Sequence, residues 1–269
     1  MSDFLQQMSE SSARRAAAAR SFTAADFDKP VHPLTLEGFD LIAEIKNRSP
    51  AEGELASVDG DRRQRARAYV DGGAVAISVL TEPERFDGDL AHLAEVVEVA
   101  GSVPVMRKDF LVEPVQIEEA RAVGASGVLL IAAMLDDRAL AGMLDCAFEH
   151  ELFVLLESFD ETDLQRSAGL LKRACYRDQA ARQKLLVGVN TRDLRTLAVD
   201  PSRLERFGPL LPAGVTCVAE SGQHTADDTA NAAGWGYRMA LVGTALMRAD
   251  DPTALIGRAS CRERVSLTV

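Results

Sequence analysis

The sequence predicts an α/β protein built as a single closed (β/α)8 barrel. Three observations predict it. Eight short apolar, β-rich runs recur along the chain, each reads as continuous rather than alternating, and helix-length segments separate them. Continuous apolar strands are buried on both faces. Strands alternating with helices call for a parallel sheet, and eight such units in about 250 residues suit a closed barrel. The competing arrangement, an open doubly wound sheet, usually carries a glycine-rich turn after its first strand. Here Ile45 is followed by Lys46-Asn47-Arg48-Ser49-Pro50 instead.

Taken in order, residues 1–35 form a polar leader, a short N-terminal extension expected to pack on the barrel mouth. Ala13–Arg20 reads as helical, and Asp28-Lys29-Pro30-Val31-His32-Pro33 breaks any helix. The barrel is assigned to 36–256. Its strands are read at Leu41–Ile45, Val75–Leu80, Val103–Met106, Gly127–Ile131, Leu152–Leu156, Leu185–Val189, Val215–Ala219 and Met239–Val242. Pro114–Gly124 shows how the intervening helices are punctuated, with Pro at the start, acids early and Gly at the end. Residues 257–269 lack a 3.6-residue apolar period and read as a non-native tail. The last helix is therefore expected to be truncated, leaving the outer face of strands one and eight exposed.

Composition narrows the function. With 269 residues, 47% hydrophobic and 26% charged, the chain is globular and long enough for one sizeable core. Its 30 basic and 41 acidic residues give a net charge of −11. That field repels nucleic acid and anionic membrane, so an anionic substrate must be held by local donors. The longest apolar run, Val128–Leu135, is far too short to span a membrane, and Met1–Glu10 lacks an apolar signal core. Cys146, Cys175, Cys217 and Cys261 are widely spaced, with no C-x-x-C, so neither a zinc site nor a disulfide framework is expected. The reading is a cytoplasmic protein with ordinary thiols.

In such barrels chemistry collects where strands end at the C-terminal face. Strand one ends in Glu44-Ile45-Lys46, strand three in Arg107-Lys108-Asp109-Phe110, strand five in Glu157, strand six in Asn190-Thr191-Arg192 and strand seven in Glu220-Ser221-Gly222. Glu44 and Lys46 are two apart and point the same way along a strand. One charged strand end is a solvated terminus; four delivering Glu or Lys to one rim form a constellation. Such a set either pairs as a structural ion network or supplies acids and bases with shifted proton affinities. Ser221-Gly222 and Gly243-Thr244 follow strands seven and eight, where phosphate sites are common, and Gly admits close backbone approach.

The strings Leu41-Ile-Ala-Glu-Ile-Lys-Asn-Arg-Ser-Pro50, Ile77-Ser-Val-Leu-Thr-Glu-Pro83, Pro104-Val-Met-Arg-Lys-Asp-Phe110, Gly188-Val-Asn-Thr-Arg-Asp-Leu194, Ala219-Glu-Ser-Gly222 and Leu241-Val-Gly-Thr-Ala-Leu-Met-Arg248 resemble the indole-3-glycerol phosphate synthase family, in order, from about residue 40 to 256. The resemblance implies a TIM barrel of tryptophan biosynthesis. Its reaction converts 1-(2-carboxyphenylamino)-1-deoxyribulose 5-phosphate to indole-3-glycerol phosphate, carbon dioxide and water, without a metal or organic cofactor. It implies Lys108 as general acid in ring closure, Glu157 as its partner in dehydration, and Lys46 on the substrate carboxylate with a part in dehydration. Glu44 and Asn190 position these groups. Ser49, Ser221, Gly222, Gly243 and Thr244 surround the phosphate, Glu220 binds substrate, Arg192 orders the mouth and Phe110 meets the anthranilate ring.

Departures from the family pattern are a shorter leader, with Phe4, Leu5, Phe22 and Phe27 as candidates to cover the substrate, and Thr244 where serine is usual. A long basic stretch, Ser167–Lys184, reads as an extended helix or a subunit contact. The partner implied is a small phosphorylated molecule, and the protein is a monomer or weak homodimer. Two other readings stand beside the synthase. A related barrel, such as phosphoribosylanthranilate isomerase or the tryptophan synthase α-subunit, is one, although no cysteine ends strand one as the isomerase needs. A non-catalytic paralogue binding a phosphorylated ligand is the other.

Overall fold

The structure, a computed structural model, describes residues 3–49, 53–54, 61–194 and 198–260. Eight parallel strands close into a ring: β1 (Asp40–Ile45), β2 (Ala76–Leu80), β3 (Val105–Lys108), β4 (Gly127–Ile131), β5 (Phe153–Ser158), β6 (Leu185–Asn190), β7 (Thr216–Glu220) and β8 (Met239–Val242). Neighbours in sequence are neighbours in the ring, and β8 closes onto β1 through pairs from Asp40–Met239 to Ala43–Val242. Every strand residue except Lys108 is buried, as the continuous apolar runs require.

Several strands run one or two residues further than the sequence reading placed them. The ladder pairs Leu80 with Lys108, Ile131 with Glu157 and Asn190 with Glu220, so the charged residues are strand residues rather than loop residues. Register partners share a face, so the pairs Glu157–Gly188, Gly188–Val218 and Glu220–Leu241 fix the lumenal side. Glu44, Lys108, Glu157 and Glu220 come from β1, β3, β5 and β7. The even strands contribute Leu80, Leu129, Ile131, Gly188 and Leu241 around them. Alternate strands filling alternate layers is the packing habit of this barrel.

Outside the ring lie α2 (Arg62–Asp71), α3 (Pro83–Phe86), α4 (Leu90–Val97), α5 (Pro114–Ala122), α6 (Asp137–Glu149), α7 (Glu161–Leu170), α8 (Ala174–Ala181), α9 (Arg203–Phe207), α10 (Ala226–Gly234), α11 (Thr244–Arg248) and α12 (Pro252–Ala259). The basic stretch read as one extended helix is instead two, α7 and α8, broken at Leu171–Arg173. Tyr176 fastens α8 to α6 by donating its hydroxyl to Asp145, at 3.1 Å.

The leader helix α1 spans Asp3–Ala17, starting ten residues before the predicted stretch. Leu5, Met8, Ser11, Ser12 and Ala16 are its buried positions, at helical spacing. Two serines on that face hide the period from an apolar count. After α1 the chain leaves the mouth. Phe27 to Leu34 line a second cavity with Ser126, Phe153 and Lys184, which stand at the starts of β4, β5 and β6. Phe22 stacks on Phe27 at 6.2 Å, and Phe27 meets the His150 ring edge-on at 4.6 Å. These two rings therefore do not cover a substrate. Pro30 and Pro33 hold the segment extended beneath the barrel, at the opposite end.

The closing helix runs three residues past the boundary read from the sequence. Gly257, Arg258 and Ala259 continue α12, which donates Thr253 Oγ1 to Ala68 O of α2 and accepts Thr229 Oγ1 of α10 on Ala259 O. β1 and β8 are buried throughout, so the expected bare outer face is absent; residues 261–269 lie outside the described residues. Ile256 is fully buried at this seam. Ile256→Ala is expected to cost about 2–4 kcal/mol in a denaturant titration; a change below 0.5 kcal/mol, on the order of a surface substitution, would show that α12 does not close the barrel.

Candidate active site

At the C-terminal end of the strands lies a cavity of about 430 Å³. Its lining includes Glu44, Lys46, Lys108, Phe110, Glu157, Asn190, Arg192, Glu220, Ser221, Gly222, Gly243 and Thr244. Those are all the residues assigned to catalysis or substrate binding from the sequence except Ser49. Its backbone pairs with Gly53 in a small antiparallel ladder, and its side chain lies outside the described residues.

The floor is ionic. Lys46 Nζ stands 2.8 Å from Glu44 Oε1. Lys108 Nζ donates to Glu157 Oε2 at 3.2 Å and lies 3.8 Å from Glu220 Oε2. Glu157 and Glu220 are essentially without solvent exposure. Burial works against the Lys108 charge, but Glu157, Glu220 and Glu44 outweigh it and raise the lysine above its ordinary value. Lys108 is therefore a cation that keeps its proton while sitting inside a cavity. Burial first, and then the Glu157 charge, push Glu220 well above the carboxylate range.

Two glycines make this packing possible, and only one of them was singled out from the sequence. A Cβ at Gly188 would overlap Glu220 Oε1, so the Glu220 carboxyl lies across the bare backbone of β6. A Cβ at Gly243 would overlap Glu44 Oε1 and come within 3.0 Å of Lys46 Nζ. Gly243→Ala is expected to lower kcat/KM roughly tenfold or more by pushing this pair aside, with the fold retained by circular dichroism. An unchanged kcat/KM would mean that the Glu44–Lys46 geometry is immaterial.

On the β6–β7 side Asn190 Oδ1 accepts the Ser221 hydroxyl at 2.7 Å and the Arg192 N–H at 2.9 Å. Ser221 holds φ of 64°, an uncommon left-handed conformation for a side-chain-bearing residue, and Gly222 follows at 71°. The sharp turn after β7 is what returns the Ser221 hydroxyl to Asn190. The short helix α11 begins at Thr244, directly after β8.

The roof is aromatic. Phe4 of α1 meets Phe110 edge-on at 5.9 Å, and Phe86 of α3 lies 6.1 Å from Phe110. Leu5 is buried in the core beneath, rather than over the cavity. Phe86 escaped the sequence reading, although Thr81-Glu82-Pro83 signals its helix: Glu82 caps α3 by accepting N–H from Glu84, Arg85 and Phe86. Gln223 and His224 also line the cavity, and nothing in their sequence context pointed to it.

Asp109, next to Lys108, ties roof to floor. It accepts from the two terminal guanidinium nitrogens of Arg15 of α1 at 2.8 Å, from Arg107 at 3.1 Å, from the Thr81 hydroxyl at 2.8 Å and from the Phe110 N–H at 2.8 Å. Burial alone would raise Asp109, but Arg107, Arg15 and Thr81 outweigh it and hold the carboxyl at about 2. Among the described residues no group of three His, Cys, Asp or Glu side chains is placed to hold a metal ion.

Comparison with known proteins agrees with this geometry. The sequence model of the indole-3-glycerol phosphate synthase family matches residues 4–258. The indole-3-glycerol phosphate synthase of Nocardioides sp. is 43% identical over 237 residues, covering 87% of this chain and 86% of its own. That of Mycobacterium leprae is 44% identical over 219 residues, covering 81% and 75%. Among solved structures, the 3-hexulose-6-phosphate synthase of Salmonella typhimurium superposes with a TM-score of 0.61 at 16% identity, covering 82% of this chain and 97% of its own. At that identity the likeness speaks for the barrel alone. Matched from the leader helix to the closing helix, the chain belongs to the indole-3-glycerol phosphate synthase family.

Proposed function

We propose that the protein converts 1-(2-carboxyphenylamino)-1-deoxyribulose 5-phosphate to indole-3-glycerol phosphate, carbon dioxide and water, as a step of tryptophan biosynthesis. The observation that carries this reading is Lys108, a cation held by two carboxyl groups in a cavity also lined by aromatic rings and by Ser221, Gly222, Gly243 and Thr244.

Ring closure needs an aromatic carbon to attack the ribulose carbonyl, and the oxygen that gains charge needs a proton. Lys108 supplies it. Phe4, Phe86 and Phe110 offer an apolar face for the anthranilate ring, and Lys46 a cation for its carboxylate. The leaving carboxylate departs as carbon dioxide and restores aromaticity. Loss of the new hydroxyl as water then needs an acid and a base, and Glu157 and Lys46 take part in that step. Glu44 and Asn190 orient these groups and Glu220 binds substrate. The phosphate is received at Ser221, Gly222, Gly243 and Thr244, with Ser49 beside it and Arg192 ordering the rim, the usual corner for phosphate in this fold.

We place the protein in the cytoplasm as a monomer or weak homodimer. Cys146, Cys175 and Cys217 are free, which suits a reducing compartment. Among the described residues only Val199 and Leu210 are exposed large hydrophobics, too few for an obligate interface. Supplying the substrate and following indole fluorescence tests the reaction. Product formation is expected. Folded protein that binds the substrate and releases no product would replace the synthase with a phosphate-binding paralogue.

A further inference from the structure

The ionic floor holds one carboxyl too many. Glu44 is matched by Lys46 at 2.8 Å and Glu157 by Lys108 at 3.2 Å, leaving Glu220 to share an ammonium already committed. Glu220 is 1% exposed and lies over Gly188, where no side chain separates it from the lumen. Among the described residues no donor from another residue reaches Glu157 Oε1 or either Glu220 oxygen. The charged groups acting on Glu220 are Glu157 from β5, Lys108 from β3 and Glu44 from β1. An isolated carboxylate is too costly to bury there, and two carboxylates at one ammonium resolve the conflict by keeping a proton. A carboxylic acid at Glu220 donating to Glu157 satisfies the pair and leaves the floor neutral.

We propose that Glu157 and Glu220 hold a single proton between them, seated on Glu220, and that this proton leaves with the hydroxyl in the dehydration step. The proposal rests on the reaction assigned above and gives Glu220 a chemical role beyond binding. In the step, the carbon–oxygen bond to the hydroxyl breaks and the oxygen departs as water, carrying the proton of the pair. The adjoining ring CH2 then loses a proton to the carboxylate. The electrons of that carbon–hydrogen bond form the ring double bond, and the pair regains its proton. Lys108, spent in ring closure, is reloaded from solvent.

Infrared difference spectroscopy tests the shared proton without turnover. At neutral pH the protein should show the C=O stretch of a buried protonated carboxylic acid, shifted in heavy water. Glu220→Gln and Glu157→Gln should each lose it, because the shared proton needs both carboxyl groups at the one ammonium. Should one variant fail to fold, the other still decides the point. In a single turnover Glu220→Gln should release carbon dioxide at near the unmodified rate yet form indole roughly a hundredfold more slowly. Absence of the band from the unmodified protein, or its survival in both variants, overturns the shared proton. Indole formed by Glu220→Gln at the unmodified rate overturns the catalytic role. If the unmodified protein neither decarboxylates nor cyclises the substrate, the reaction assignment falls and takes the catalytic role with it, while the band still decides the proton.

Discussion

Lys108→Met is expected to lower kcat for indole formation by at least about a thousandfold, with substrate binding changed far less. Lys108 is the one cation within hydrogen-bonding distance of Glu157 among the described residues, and the surrounding carboxyl groups keep it charged inside the cavity. Methionine fills similar space but has no proton to give to the forming alkoxide. Because the lysine stays charged well into alkaline conditions, the rate should not fall at moderately high pH through loss of this acid. The variant should still fold, since Glu220, already pushed above the carboxylate range by burial, stays uncharged when the ammonium is gone. A Lys108→Met protein with circular dichroism intact and kcat within tenfold of the unmodified enzyme would remove Lys108 from the chemistry.

The second large effect is on the latch. Asp109→Asn is expected to destabilise the protein by about 3–5 kcal/mol and to raise KM as α1 loosens from the mouth. The carboxylate carries a bidentate bond to Arg15 and shares the nearly fully buried Arg107 with Glu119, so the amide removes the Arg15 ion pair and leaves Arg107 with one carboxylate in place of two. Asp109 also gives the unmodified protein a pH dependence. Its carboxyl sits at about 2, against an ordinary 3.8. A depressed carboxylate stabilises the fold above its unfolded value and loses that contribution as pH falls through its folded value. About 2 kcal/mol should therefore disappear between pH 4 and 2, and urea midpoints across that window should fall less steeply in Asp109→Asn. Identical slopes in the two proteins would contradict the assignment.

The barrel was legible because its signal is repetition. Eight continuous apolar runs have few other solutions, and the rim residues follow once strand ends are known to carry the chemistry. What escaped the reading depends on tertiary placement. Helix α1 hid because Ser11 and Ser12 occupy buried positions, where Ser12 accepts from Gln116 and Ser11 donates to Glu84. Phe22 and Phe27 looked like cover for a substrate, yet the leader carries them to the far end of the barrel. Gly188 carries no signal of its own in the sequence, because its use is to make room for a side chain on the next strand. The final helix read as aperiodic because Gly257 and Arg258 interrupt its apolar face, although Ile256 and Ala259 still bury.

The most direct measurement is a turnover with substrate labelled in its carboxylate carbon, counting labelled carbon dioxide against indole product. One labelled carbon dioxide per indole, with both lost in Lys108→Met, is the predicted result. Tight binding of the substrate by folded protein with neither product, or carbon dioxide release undiminished in Lys108→Met, would contradict a lysine-driven ring closure at this barrel mouth.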